Sequence, residues 1–200
     1  YLGTATGCRL HFVHLSCAEA VDEVLQAKAS GMPVTIETCP HYLCLTDEDC
    51  IRIGADAKCS PPIRNRECAD RMWERVFSGK IDILASDHSP CPFEMKENGE
   101  QNIFQAWGGL SACQNTLDLM FDEAVQKRGL SVCALMRMLS ANPANIFGLK
   151  EKGGILPGKD ADLVLLQPNA PYVLQREDLF YRHKHSVYEG RTIGCQVKRT

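Results

Sequence analysis

Along the first part of the chain, apolar residues recur first at every second position and then at every third or fourth, and each change of period predicts an element. CRLHFVHLS, residues 8–16, is a short β-type run. Ser16 with Glu19 makes a capping-box pattern that opens a helix over AEAVDEVLQAKAS, with Ala18, Val21, Leu25 and Ala29 on one face. Gly31 and Pro33 end that helix. The β-branched run VTIETC, residues 34–39, reads as a second strand. NRECADRMWERVFSG then predicts another amphipathic helix, with Asn65 as its cap, Met72, Trp73, Val76 and Phe77 as its buried face, and Gly79 as its stop. IDILASD supplies a third strand.

Strand, helix, strand, helix, strand predicts right-handed βαβ units around a parallel sheet, an α/β fold. In such folds function collects at the carboxyl ends of the strands. His14, the segment from Cys39 to His41, and Asp87 all fall there. Residues 88–109 read as a long, charged loop ending in AWGG, of the kind that is functional or disordered. Helical segments are expected over residues 110–127 and 131–139, followed by a short helix in ANPANIFGL. From Gly153 the pattern turns to tight turns and β-type runs. This predicts two domains, residues 1–152 and 153–200.

Composition narrows the class. The chain has 200 residues, 44% hydrophobic and 24% charged, enough to bury a core. A formal charge of −3 and a pI near 6.1 give no footprint for nucleic acid, so a small molecule or a protein is the expected partner. Eleven cysteines, an odd number with no CxxC pair, argue for thiols in a reducing compartment and against a structural zinc-thiolate site. No apolar run is long enough to span a membrane and no signal-peptide pattern opens the chain, so the expectation is a soluble, cytoplasmic protein. The first residue is not Met, which suggests that it is not the natural start.

The candidate chemistry starts from SDHSPCP. A carboxylate at the end of Ile83-Leu84-Ala85 either caps a strand-to-loop turn or holds something that needs a charge. Alternation places His14 on one face with Leu10 and Phe12, where its imidazole can reach the mouth of the sheet. His14 and Asp87 together suit a divalent metal with mixed nitrogen and oxygen ligands, and Asp87 could also take a proton from water. Two ligands do not hold a catalytic metal, so others must come from elsewhere. His41 follows a proline and reads as a turn residue past the strand end; His88 reads as support at most. His183 and His185, in YRHKH, read as surface residues. In Cys59-Ser60-Pro61-Pro62, Ser60 either offers backbone groups to a ligand or anchors a loop. Gly108 and Gly109 either admit close approach of a ligand or start a helix.

VHLS, ETCPHYL, KCSPPIR, SDHSPCP, AWGG and PGKDADLVLLQP, in this order, resemble the cyclic amidohydrolases across essentially the whole chain, and among them most closely the allantoinases. The resemblance implies a (β/α)8 TIM barrel with a small β-sandwich built from both chain ends, the strands above being the sixth, seventh and eighth. It implies two divalent metal ions, commonly zinc, bridged by hydroxide and a carboxylated lysine. It places His14 and Asp87 among the ligands, with Asp87 as the proton acceptor. The remaining ligands, the lysine included, match nothing here, so this chain looks like a carboxyl-terminal part, inactive and poorly soluble alone. The implied reaction opens allantoin to allantoate, the ring's amide edges held by backbone groups around Ser60 and by the Trp107-Gly108 loop. Hydantoinases and dihydropyrimidinases share this plan, and metal-free structural homologues also exist. A homotetramer is the implied assembly.

Overall fold

In the computed structural model, which describes residues 1–99 and 101–200, three short parallel strands lie side by side: β1 (Leu10–Phe12), β2 (Val34–Thr38) and β3 (Ile83–Leu84), with β2 in the middle. Leu10 pairs with Val34 and Phe12 with Ile36; Glu37 pairs with Ile83 and Thr38 with Leu84. A short helix, α1 (Leu2–Thr6), precedes β1, and α2 (Ala18–Ala29) connects β1 to β2. Val34, Ile36 and Thr38 are buried on one side of β2, the two aliphatics joining Ala18, Val21 and Val24 of α2 in the core. The opposite face is polar. His11 there lies 2.8 Å from Thr35 Oγ1 through Nδ1 and 3.2 Å from Glu37 Oε2 through Nε2.

Between β2 and β3 run α3 (Pro40–Cys44), α4 (Asp47–Ile53) and α5 (Arg66–Phe77). Asn65 caps α5 by accepting from the Cys68 N–H at 3.0 Å, as its sequence pattern predicts. Asp82, just before β3, accepts from the Ile36 N–H and pairs with Lys28 at the end of α2, so one carboxylate ties helix to sheet. After β3 come α6 (Glu94–Glu97), then α7 (Thr116–Met120), which widens into a π-helical stretch, Phe121–Gln126. α8 (Val132–Met136) continues through a second π stretch into α9 (Asn142–Ile146). The carboxyl-terminal part holds two antiparallel pairs: β4 (Leu165–Gln167) with β7 (Gln196–Arg199), and β5 (Tyr172–Val173) with β6 (Thr192–Ile193).

Several expectations are corrected. The Ser16 and Glu19 capping box does not form: Cys17 is the N-cap of α2, without a side-chain cap bond. The box occurs instead at α4, where Thr46 and Asp49 satisfy each other's N–H groups, in a stretch whose short helices carry little periodicity. On α2, Val24 is buried while Ala29 is exposed. Phe77 is 47% exposed at the end of α5. The helix expected from residue 110 starts only at Thr116, because Leu110 is committed to a parallel bridge with His88. His185 is no surface residue: it is buried, with Nε2 2.9 Å from the Cys91 carbonyl and Nδ1 3.4 Å from Asp56 Oδ1. Long-range contacts, invisible in the polar run YRHKH, put it there.

Candidate metal and active site at the strand ends

The chain leaves β1 and β3 through the same unusual backbone conformation. His14 has φ 45° and Asp87 has φ 46°; the third non-glycine residue with positive φ among the described residues is Asn169, at 53°. Left-handed backbone at such positions costs on the order of 1–3 kcal/mol and persists only where the surroundings enforce it. Here they do. The Leu15 N–H donates to the Glu37 carbonyl at 2.9 Å, and Thr38 Oγ1 donates to the Leu15 carbonyl at 2.7 Å. On the other side the Ala85 N–H donates to the Thr38 carbonyl at 3.1 Å, and the Ser89 N–H to the Leu110 carbonyl at 2.8 Å. The His14 turn is therefore pinned just after His14, at Leu15, and the Asp87 turn on both sides, at Ala85 and Ser89. β1 ends at Phe12, so the alternation that groups His14 with Leu10 and Phe12 does not carry to it; the left-handed turn sets its direction instead.

Beside Asp87 stand two residues that the pattern of the chain marks only weakly. Ligand-capable atoms of Cys39, His41 and Asp87 all lie within 4.8 Å of one another. Cys39 is the extended N-cap of α3, Pro40 fills the first turn, and His41 follows on a helix whose residues are all buried. Pro40 fits there because it brings no N–H and a preset φ. Both nitrogens of His41 are buried without a hydrogen-bond partner among the described residues, and so is His14 Nδ1. Burial first, and the neighbouring His14 second, push His41 down to about 3, so its imidazole is neutral. Burial, then Asp87, push the Cys39 thiol well up, which keeps it protonated.

Buried polar atoms left unpaired are costly, and clusters of them ask for a partner. Neutral imidazole nitrogens beside a carboxylate fit a divalent cation with nitrogen and oxygen donors. Cys39 adds a sulfur to the same group. The structure brings Asp87 together with Cys39 and His41; His14 lies near His41 but outside that group of three.

Two loops flank the cluster. Ser60 is exposed, in a cis peptide with Pro61, and the Tyr42 hydroxyl of α3 donates to the Pro61 carbonyl at 2.9 Å, docking this loop on the helix after β2. Trp107 Nε1 donates to the Ser89 carbonyl at 3.3 Å, and the Leu110 N–H donates to Ser89 Oγ at 3.2 Å. A Cβ at Gly109 would stand 2.6 Å from the Ser89 carbonyl, so that glycine serves close packing of the loop against the residues after Asp87. Gly108 faces open space. His88 turns to this loop rather than to Asp87: its Nδ1 accepts from the Ala112 N–H at 3.1 Å, and its ring lies on Tyr181. A cavity of about 710 Å³ opens beside the loops, lined by Lys58, Cys59, Pro62 and Lys96 among others, but not by His14, His41 or Asp87.

No helix among the described residues is long and apolar enough to cross a membrane. A model of the Amidohydrolase family matches residues 2–187. An allantoinase of Salmonella newport (strain SL254) is 56% identical over 200 residues, which are 100% of this chain and 44% of the relative. The L-hydantoinase (dihydropyrimidinase) of Arthrobacter aurescens shares the mixed α/β architecture with a TM-score of 0.94 at 33% identity, over 100% of this chain and 46% of its own. Dihydropyrimidinase of Brevibacillus agri NCHU1002 gives 0.91 at 30% identity, over 98% of this chain and 44% of its own. The chain spans less than half the length of these relatives.

Proposed function

The chain belongs to the amidohydrolase family, and from that premise we propose that it is the carboxyl-terminal part of a metal-dependent cyclic amidase that opens the hydantoin ring of allantoin to allantoate. The observation that carries the reading is the pair of strand-end residues, His14 and Asp87, held in left-handed backbone near a buried imidazole that has no hydrogen-bond partner among the described residues. Full-length coverage of this chain at 56% identity to an allantoinase, against 33% to a hydantoinase, favours allantoin as the substrate.

In this reading residues 1–152 are the closing part of a (β/α)8 barrel, β1 to β3 being its sixth to eighth strands. Residues 153–200 belong to a β-sandwich, and the exposed apolar side chains of Leu163, Val164 and Leu165 are the surface that the rest of it would cover. His14 and Asp87 would hold divalent ions, zinc being the species expected, with a carboxylated lysine and the other ligands coming from outside this chain. Such ions supply Lewis acidity to the ring carbonyl and to water.

Asp87 accepts the proton of the attacking water at a carboxylate oxygen and delivers it to the ring nitrogen as the amide bond breaks. The neutral His41 nitrogens offer a fixed acceptor or donor beside that oxygen. Backbone groups at Ser60, and the Trp107-Gly108 loop, match the alternating donors and acceptors along an imide edge. A metal-free scaffold has no use for two strained polar residues of which one, Asp87, stands against His41 and the other, His14, lies near it.

Turnover of allantoin, hydantoin and dihydrouracil by the intact enzyme separates the readings. Allantoin is expected to give the largest kcat/KM; preference for dihydrouracil would transfer the chain to the dihydropyrimidinases.

A further inference from the structure

Lys96 lies in α6, inside the segment after Asp87 that the sequence reads as a long, charged loop, and it is buried. Its ammonium donates to four backbone carbonyls: Gly109 at 2.7 Å, Trp107 at 3.0 Å, and Ala55 and Lys58 at 3.1 Å each. Among the described residues it forms no ion pair. An ammonium has three protons, so four acceptors imply that at least one is shared. Burying a cation outside an ion pair is expensive unless oriented dipoles replace its hydration; four converging carbonyls do that, with the charge of Asp56 nearby adding to it. Burial accordingly draws Lys96 below the ordinary lysine range.

The four carbonyls are not a random set. Ala55 and Lys58 bracket the turn that leads into Cys59 and Ser60; Trp107 and Gly109 bracket Gly108. Lys58 adds a brace in the opposite direction, its own ammonium donating to the carbonyls of Phe104 at 3.0 Å and Ala106 at 2.6 Å. Trp107 and Leu110 are in turn fixed to Ser89, two residues beyond Asp87. We propose that Lys96 is a positioning residue for ring binding: a buried cationic clamp that fixes the spacing between the Ser60 loop and the Gly108 loop, and fixes both relative to Asp87. This inference rests on the proposed ring-opening activity. Lys96 does not touch the ring; it acts through the backbone groups that do.

The test is steady-state kinetics on the intact enzyme, comparing wild type with Lys96→Met and Lys96→Arg. Methionine keeps the length of the side chain and leaves four carbonyls without a donor. Arginine keeps the charge but presents a planar fork in place of a point donor. Loss of loop spacing raises KM about 10-fold or more, as expected when positioned groups drift by fractions of an ångström, while kcat and metal content stay within about threefold because Asp87 and His14 sit on the strand ends. Arginine is expected to recover less than half of the loss. Lys58→Met, which cuts only the outer brace, raises KM about threefold and decides the matter if Lys96→Met does not fold. An active wild type with unchanged KM in these variants would overturn the inference alone. A wild type that opens no ring would overturn the proposed function and this inference together.

Discussion

Asp87 and His41 reached the same cluster by routes of very different visibility. A carboxylate that interrupts an apolar strand at its carboxyl end conflicts with burial, and that conflict is legible in IDILASD without coordinates. His41 follows a proline and looks like part of a turn; only the fold turns Pro40 into the first residue of a buried helix and brings the imidazole to Asp87. Alternation does not carry to His14, since a left-handed residue breaks the period. At this scale the expected outcome for His41→Ala in the intact enzyme is a 10- to 100-fold loss of metal affinity, roughly the effect of removing a supporting partner. Chelator competition measures it, and unchanged affinity would assign His41 to packing alone.

Elements formed where local preference and tertiary packing agreed. α5 combines a cap, a buried face and a glycine stop, and it forms where its pattern predicts, with Met72, Trp73 and Val76 buried and Phe77 left exposed. The segment from Leu110 to Asn115 is apolar enough for a helix, yet its backbone groups serve the bridge to His88 and the contact with Ser89, so the helix starts later. Asn65→Ala removes the bond to the Cys68 N–H and is expected to cost about 1 kcal/mol, visible as a lower Tm with unchanged KM. The two loop glycines should separate cleanly. Gly109→Ala drives a Cβ against Ser89, so it lowers both Tm and activity, whereas Gly108→Ala meets open space and alters KM without moving Tm.

On the scale of the whole molecule, the ties that hold the carboxyl-terminal part in place are not readable in the sequence. His185 reaches Cys91 and Asp56, and Arg191 reaches the Cys44 carbonyl at 3.1 Å and Glu123 at 2.7 Å, all across long stretches of sequence. Glu123 also meets Lys127 and Arg128. Burial acts to raise its carboxyl, but those three cations outweigh it and hold Glu123 down to about 2. A carboxyl depressed in the folded state stabilises it above the unfolded value near 4.5 and loses that contribution as pH falls toward 2. Glu123→Gln should remove on the order of 3 kcal/mol of stability at neutral pH and flatten the acid dependence between those limits. Near-ultraviolet circular dichroism against pH reads both effects; an acid profile matching wild type would show the cluster to be inert.

The central claim is that Asp87 works at a metal-dependent ring-opening site, and the most direct measurement is metal content together with allantoin hydrolysis in the intact enzyme, wild type against Asp87→Asn. The expected result is divalent metal and ring opening in the wild type, with kcat lower by about 10²-fold or more in the variant, the loss typical of a missing general base. A wild type without metal or activity, or an Asp87→Asn variant that turns over at the wild-type rate, would contradict it and return Asp87 to the role of a turn residue.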